Sequence, residues 1–176
     1  MIDVTPWDNR AGLIVLSQLD PADWREAQLA RGGGMDHLDV FADWRLVQAN
    51  ALLSVILRDT SRGGEPFAVL CLAPTGHRGI AQAALLARSH KRFRRCLVAA
   101  AGRIRDDMPE FCRDWGIRRV EARCWAGHPR APRFLAACGF LPEVRMAGFG
   151  GDDPAEFVQF AWVEKEAEHV HHTQGS

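Results

Sequence analysis

A chain of 176 residues fits one domain built on one core and is short for two. Its 22 basic and 22 acidic residues cancel, which argues against a nucleic-acid or anionic-membrane partner held by a global field. With 47% hydrophobic and 25% charged residues the composition is that of a soluble globular protein and not of a disordered chain. The apolar run AGLIVLSQL falls well short of the roughly 20 residues that span a bilayer. The opening MIDVTPWDNR carries acids where a signal peptide has bases, so the expectation is a cytoplasmic protein. Cys71, Cys96, Cys112, Cys124 and Cys138 are odd in number and form no C-x-x-C pair, which reads as buried reduced thiols.

In chain order, IDVTP is a short first strand. Asp8 or Asn9 caps a helix through RAGLIVLSQL, and Asp20-Pro21 opens a second helix, PADWREAQLA. The acids at its start suit the positive end of the helix dipole, and RGGG at 31–34 ends it. A third helix, DHLDVFADWRLVQANA, is expected to bury Phe41, Trp44 and Val47. The period then changes. LLSVILRD and PFAVLCLAP read as a hairpin across TSRGGE. IAQAALLA has helix-forming alanines, yet it is short and lies between two turns, so a strand is expected.

SHKRFRRCLVAAAGRIRDDMPEFCRDWG reads as a long helix capped by Ser89 and broken or kinked near Pro109. In IRRVEARCWAG, strict alternation places Val120, Ala122 and Cys124 on one face. A short helix in HPRAPRFLAACGF and two strands, LPEVRMAGFG and EFVQFAWVE, complete the pattern. The expected architecture is α+β, a mixed, mostly antiparallel central sheet with helices on both faces. Residues 1–164 form a single domain and 165–176 a flexible polar tail, whose HVHH offers too few ligands in register for a metal. No metal is expected. The six tryptophans are spread as core and interface anchors and form no stacking platform for single-stranded nucleic acid.

This order, with RRVEARCWAGHPRAPRFLAACGF, resembles the GNAT (Gcn5-related N-acetyltransferase) superfamily. That family's fifth strand is followed by Asn-x-x-Ala, apolar residues and Gly-Phe, and His128, Ala131, Phe134, Leu135, Gly139 and Phe140 fall in register with it. The resemblance implies a GNAT-like sheet, acetyl-CoA as acyl donor, and direct transfer of the acyl group to an amine. Leu85, Leu86 and Ala87 would hold the pantetheine. Arg88, His90, Lys91, Arg92, Phe93 and Arg94 would meet the phosphates, and Ala131 and Phe134 would line the donor site. Glu121 and His128 are the candidate proton acceptors.

Two departures from the family's pattern stand out. The phosphate loop, normally Arg/Gln-x-x-Gly-x-Gly/Ala, is here ARSHKRFRRCL with no glycine, so side-chain charge would have to replace close backbone approach. The tyrosine that often protonates the leaving thiolate matches Leu135, and the chain contains no tyrosine at all. The front half, SQLDPADWREAQLA, is similar to small GNAT-fold proteins of tailed phages, among them an internal-virion-protein family with Arg-x-x-Asp-x-x-Glu, matched here by Asp20, Asp23 and Glu26. Two functions therefore stay open. One is an acyl-CoA-dependent N-acyltransferase. The other is a non-catalytic, virion-associated GNAT-fold protein whose partners are phage structural proteins.

Overall fold

In the computed structural model, which describes residues 1–32 and 34–164, seven strands form one sheet in the order β1-β2-β3-β4-β5-β7-β6. The strands are β1 (Ile2–Pro6), β2 (Leu53–Asp59), β3 (Glu65–Pro74), β4 (Ile80–Ala87), β5 (Arg119–Trp125), β6 (Leu141–Phe149) and β7 (Ala155–Val163). The helices are α1 (Asn9–Leu16), α2 (Pro21–Arg31), α3 (His37–Gln48), α4 (Arg94–Asp114) and α5 (Ala131–Ala137). IAQAALLA is a strand, paired antiparallel with β3 from Ala68↔Ala87 to Pro74↔Ala81, because its tertiary partner overrides the alanines' helical preference. The proposed tail and its HVHH lie outside the described residues.

Asp8 caps α1, Asp20 caps α2 through the Ala22 amide, and Asp36 with Asp39 makes a reciprocal capping box on α3. Gly32, at φ 89°, closes α2 in the left-handed region that a Cβ disfavours. Two local expectations need correction. In α3 the buried residues are Val40 and Trp44, while Phe41 is half-buried and Val47 is 48% exposed; the helix is rotated so that Val40 faces the sheet. The long helix begins at Arg94 and runs unbroken through Pro109, while Ser89 Oγ accepts from the Arg92 amide in the turn that precedes it.

Helices cover both faces. On one, Val15 and Leu16 of α1 and Val40 and Trp44 of α3 pack on Ile56, Val69 and Cys71. On the other, Phe93, Cys96 and Ala100 meet Val55, Leu57 and Ala87. Further along that second face, Ala101, Met108 and Cys112 join Cys138 and Phe140 over Val120, Ala122 and Cys124, the face read from the alternation of β5. All five cysteines are buried and free. Burial pushes the Cys138 thiol up to about 12, so it is inert as a nucleophile. Among the described residues no helix is long and apolar enough to cross a membrane.

One topological detail creates the site. Strands β4 and β5 run parallel and pair only at Ile80↔Arg119, Ala81↔Val120 and Gln82↔Glu121. Beyond these positions the two strands share no ladder, leaving a fork walled by Ala83–Ala87 on one side and Ala122–Trp125 on the other. A fork leaves backbone N–H groups of both walls in need of partners.

Candidate active site

The fork is filled from α2. Asp20, Asp23 and Glu26 recur at three-residue spacing and so share one side of the helix. Each accepts from a different amide at the fork: Asp20 Oδ2 from His90 at 2.8 Å, Asp23 Oδ2 from Ala87 at 2.7 Å, and Glu26 Oε2 from Trp125 at 2.8 Å. The Asp20 amide in turn donates to the Ala87 carbonyl at 2.9 Å, beside a lone antiparallel bridge between Leu19 and Arg88. One helix thus ties the β4 wall to the β5 wall. Gly127 lies under the indole that ends the β5 wall. A Cβ there would come within 2.5 Å of the Trp125 ring, so Gly127→Ala is expected to cost about 1–3 kcal/mol through overpacking, read as a lowered urea midpoint with unchanged slope.

Asp23 is the centre of a buried cluster. Its Oδ1 lies 2.9 Å from His90 Nε2 and 3.0 Å from His128 Nε2, and all three residues are less than 8% exposed. His128 Nδ1 accepts from the Ala131 amide at 2.8 Å and from the Arg130 amide at 3.2 Å, so it caps α5 and carries no proton. Its Nε2 therefore carries the hydrogen and donates to Asp23. Three acidic and imidazole groups this close invite a metal reading, but a metal-bound histidine donates from its other nitrogen, and His128 accepts there. The cluster is a hydrogen-bonded proton network.

Burial alone would raise the Asp23 pKa. The bonds from His128, His90 and Ala87 outweigh it and hold the carboxyl below its usual value. Burial would lower His90, yet the Asp23 hydrogen bond and the charges of Asp23 and Asp20 hold it above the ordinary imidazole value, against a repulsive contribution from Arg130. Glu26 behaves differently. Burial pushes it up to about 7, only partly countered by the hydrogen bond from the Trp125 amide, with the Asp23 charge adding to the rise. Its Oε1 accepts no hydrogen bond among the described residues. A carboxylate with one oxygen fixed, one oxygen unengaged and a pKa near neutrality is suited to take a proton at physiological pH.

The residues singled out from sequence fall into separate groups. Leu85, Leu86 and Ala87 do form the end of β4 that pairs with β3 but not with β5, and the Ala87 amide is taken by Asp23. Arg88 is buried and bonds Glu65 Oε1 at 3.0 Å and the Pro66 carbonyl at 2.8 Å, and Arg92 bonds Glu65 Oε2 at 2.7 Å. Both guanidinium groups flank the ring of buried Phe93, which stacks on Phe67. These three residues hold the turn together. Lys91 and Arg94 are exposed, as are Arg95, Arg130 and Arg133, and none of the five makes an ion pair among the described residues. Glu121 lies at the base of the fork opposite Gln82, with Arg119 Nε 2.8 Å from its Oε1. Ala131 and Phe134 pack α5 on the core, and Gly139 takes a left-handed turn at φ 92°.

Asp23 and Glu26 are the site residues that sequence reasoning misses as candidates. Their three-residue spacing with Asp20 is the available signal, but Asp23 in the first helical turn is explained by the dipole alone, and Glu26 one turn later reads as part of the polar face of an amphipathic helix.

The overall arrangement has counterparts among solved structures. The GNAT-family acetyltransferase from Bacillus anthracis superposes with a TM-score of 0.71 at 10% identity, over 94% of this chain and 96% of that one. Spermidine N-acetyltransferase from Vibrio cholerae, solved with CoA and spermine, gives 0.65 at 9% identity over 93% and 95%. Mycobacterium smegmatis RimJ, solved with CoA-disulfide, gives 0.65 at 16% identity over 92% and 81%. At these identities the likeness establishes the shared fold. No protein-family model matches the chain, and no curated protein is significantly similar to it in sequence.

Proposed function

We propose that the chain is an acyl-CoA-dependent N-acyltransferase in which Glu26 is the general base. The observation that carries this reading is Glu26 itself, fixed by the Trp125 amide inside the fork with a pKa near 7. The amine attacks the thioester carbonyl directly while Glu26 Oε1 takes the proton that the nitrogen sheds. Acyl-CoA is the donor because solved neighbours of this fold hold CoA. The chain also offers charges to meet its phosphates: Lys91, Arg94 and Arg95 around the start of α4, and Arg130 and Arg133 at the start of α5. With the Ala87 amide engaged, backbone contact to the pantetheine would fall to Leu85, whose peptide groups face the same side by the two-residue alternation of a strand.

Acetyl-CoA at 100 times its Kd should stabilise the fold by about 2.7 kcal/mol, seen as a rise in melting temperature. Arg94→Ala with Arg95→Ala should remove most of that rise. Absence of any rise at millimolar acetyl-CoA would sink the enzyme reading.

One observation favours the alternative of a non-catalytic scaffold: α2 already satisfies the His90, Ala87 and Trp125 amides that a ligand would otherwise use. The partner would then be another protein, such as a phage structural protein. A chain with no acetyl-CoA response is what that reading expects.

A further inference from the structure

Transfer of an acyl group from a thioester needs two proton movements, one off the attacking amine and one onto the departing sulfur. Glu26 accounts for the first. For the second the chain has no tyrosine, and Leu135 of α5 is packed against the core. All five thiols are buried.

The hydrogen bonds of the buried cluster isolate one proton. Asp23 receives donors on both oxygens, Ala87 on Oδ2 and two imidazoles on Oδ1, so it is an ionised acceptor. Both Nε2 atoms must then be donors. His128 has spent its Nδ1 on the amides of Arg130 and Ala131. His90 has not: its Nδ1 lies 3.6 Å from Asp20 Oδ1, beyond a good hydrogen bond, and among the described residues it is the one ring nitrogen of the cluster free to gain or lose a proton. The arrangement has the logic of an aspartate that orients an imidazole through one nitrogen so that the other can transfer a proton.

The titratable and charged groups around His90 are Asp20 at the N-cap of α2, Asp23 and Glu26 within it, and neutral His128 and Arg130 from the segment entering α5. The acids closest to the ring, Asp20 and Asp23, favour its protonated form.

We infer that His90 delivers the proton that the departing thiolate needs, an assignment that rests on the acyltransfer reading above. The amine lone pair forms the new C–N bond as the C–S bond breaks with its electron pair on sulfur. Glu26 gains the amine proton, and His90 Nδ1 gives its proton to sulfur. Return of a proton from Glu26 to His90 through solvent resets the pair, so the net reaction is amine plus thioester to amide plus thiol.

The test exploits leaving-group basicity. Hydroxylamine serves as acceptor because it is small, demands no acceptor subsite and hardly needs a general base. CoA release from acetyl-CoA is compared with thiophenol release from its acetyl thioester, whose thiolate departs without a proton. His90→Gln, which keeps a donor toward Asp23, should lower the rate on acetyl-CoA by about 10²–10³-fold and on the aryl thioester by less than about tenfold. Equal losses on both donors would overturn the assignment of His90 alone. No wild-type turnover of acetyl-CoA would overturn the acyltransfer reading and this assignment with it. The wild-type protein gives a second measurement independent of any folding defect. Its rate should fall on the alkaline side with acetyl-CoA and stay level there with the aryl thioester; an identical alkaline limb for both donors also counts against His90.

Discussion

Glu26→Gln is expected to lower amide formation by about 10²–10⁴-fold and at the same time to make the protein more stable above pH 7. Both effects follow from one half-buried carboxylate. Glutamine keeps an oxygen for the Trp125 amide but cannot take a proton from an amine, so acetyl-CoA binding should survive while turnover is lost. The stability effect follows from linkage. The folded-state pKa of about 7 lies above the ordinary 4.5, so between those values the folded protein binds more protons than the unfolded one. Its stability therefore falls as pH rises through that window. The substituted amide carries no charge at any pH, which predicts melting curves that coincide near pH 4 and separate in the variant's favour by pH 8. Loss of activity with gain of stability is the mark of a residue retained for chemistry at a cost to the fold. Wild-type turnover should rise with pH through about 7. A variant that turns over at the wild-type rate at pH 8 would remove Glu26 from the mechanism.

Asp23→Ala should be the most damaging single change in the protein. It strips the acceptor from His90, His128 and the Ala87 amide together, and breaking a buried ionic cluster by removing one member costs about 3–5 kcal/mol. At roughly 2–4 °C per kcal/mol for a chain of this size, the melting temperature should fall by roughly 6–20 °C. The cluster also sets the limits of pH stability. The lowered Asp23 pKa gives stability that is present above about 3.8 and lost as pH falls through the folded value. The raised His90 pKa acts in the opposite sense, its contribution being complete below about 6.5 and lost as pH climbs through the folded value. Asp23→Ala should flatten both limbs of the stability profile. A melting temperature within a degree or two of wild type would show that the cluster carries little of the fold's stability.

Much of this architecture could be read from local pattern. The alternation of Val120, Ala122 and Cys124 placed β5 and its buried face, and the Gly139-Phe140 step ended α5 as its φ of 92° requires. Errors came where neighbours outside the window decide the outcome. Phe41 and Val47 fit a helical stripe as well as Val40 does, and only the sheet beneath selects Val40 and Trp44. Ser89 resembles a helix cap, but Arg88, Arg92 and Phe93 lock with Glu65 into a turn that delays α4 to Arg94. The site was the least legible part. The partners of Asp23 and Glu26 lie 64 to 105 residues away, and no spacing rule connects them. His128 stands out for its chemistry, yet its Nδ1 is spent as a helix cap, and the unengaged imidazole nitrogen belongs to His90 in a stretch read for its charge.

The fork also bears on the order in which the chain assembles. Strands β1 to β4 form one antiparallel half-sheet and β5 to β7 another, each closed by pairs between strands near in the chain order, and only three residue positions of β4 and β5 join the halves in the sheet. Tying residues 20–26 to residues 125–128 closes loops of about a hundred residues, the slowest kind of contact to form. The bonds that place Glu26 at Trp125 and Asp23 at His128 are therefore expected to form late in folding and to open early in the native state, so that the seam between the half-sheets also acts as a check on complete assembly: a chain whose halves have folded but not docked has no assembled proton-transfer site.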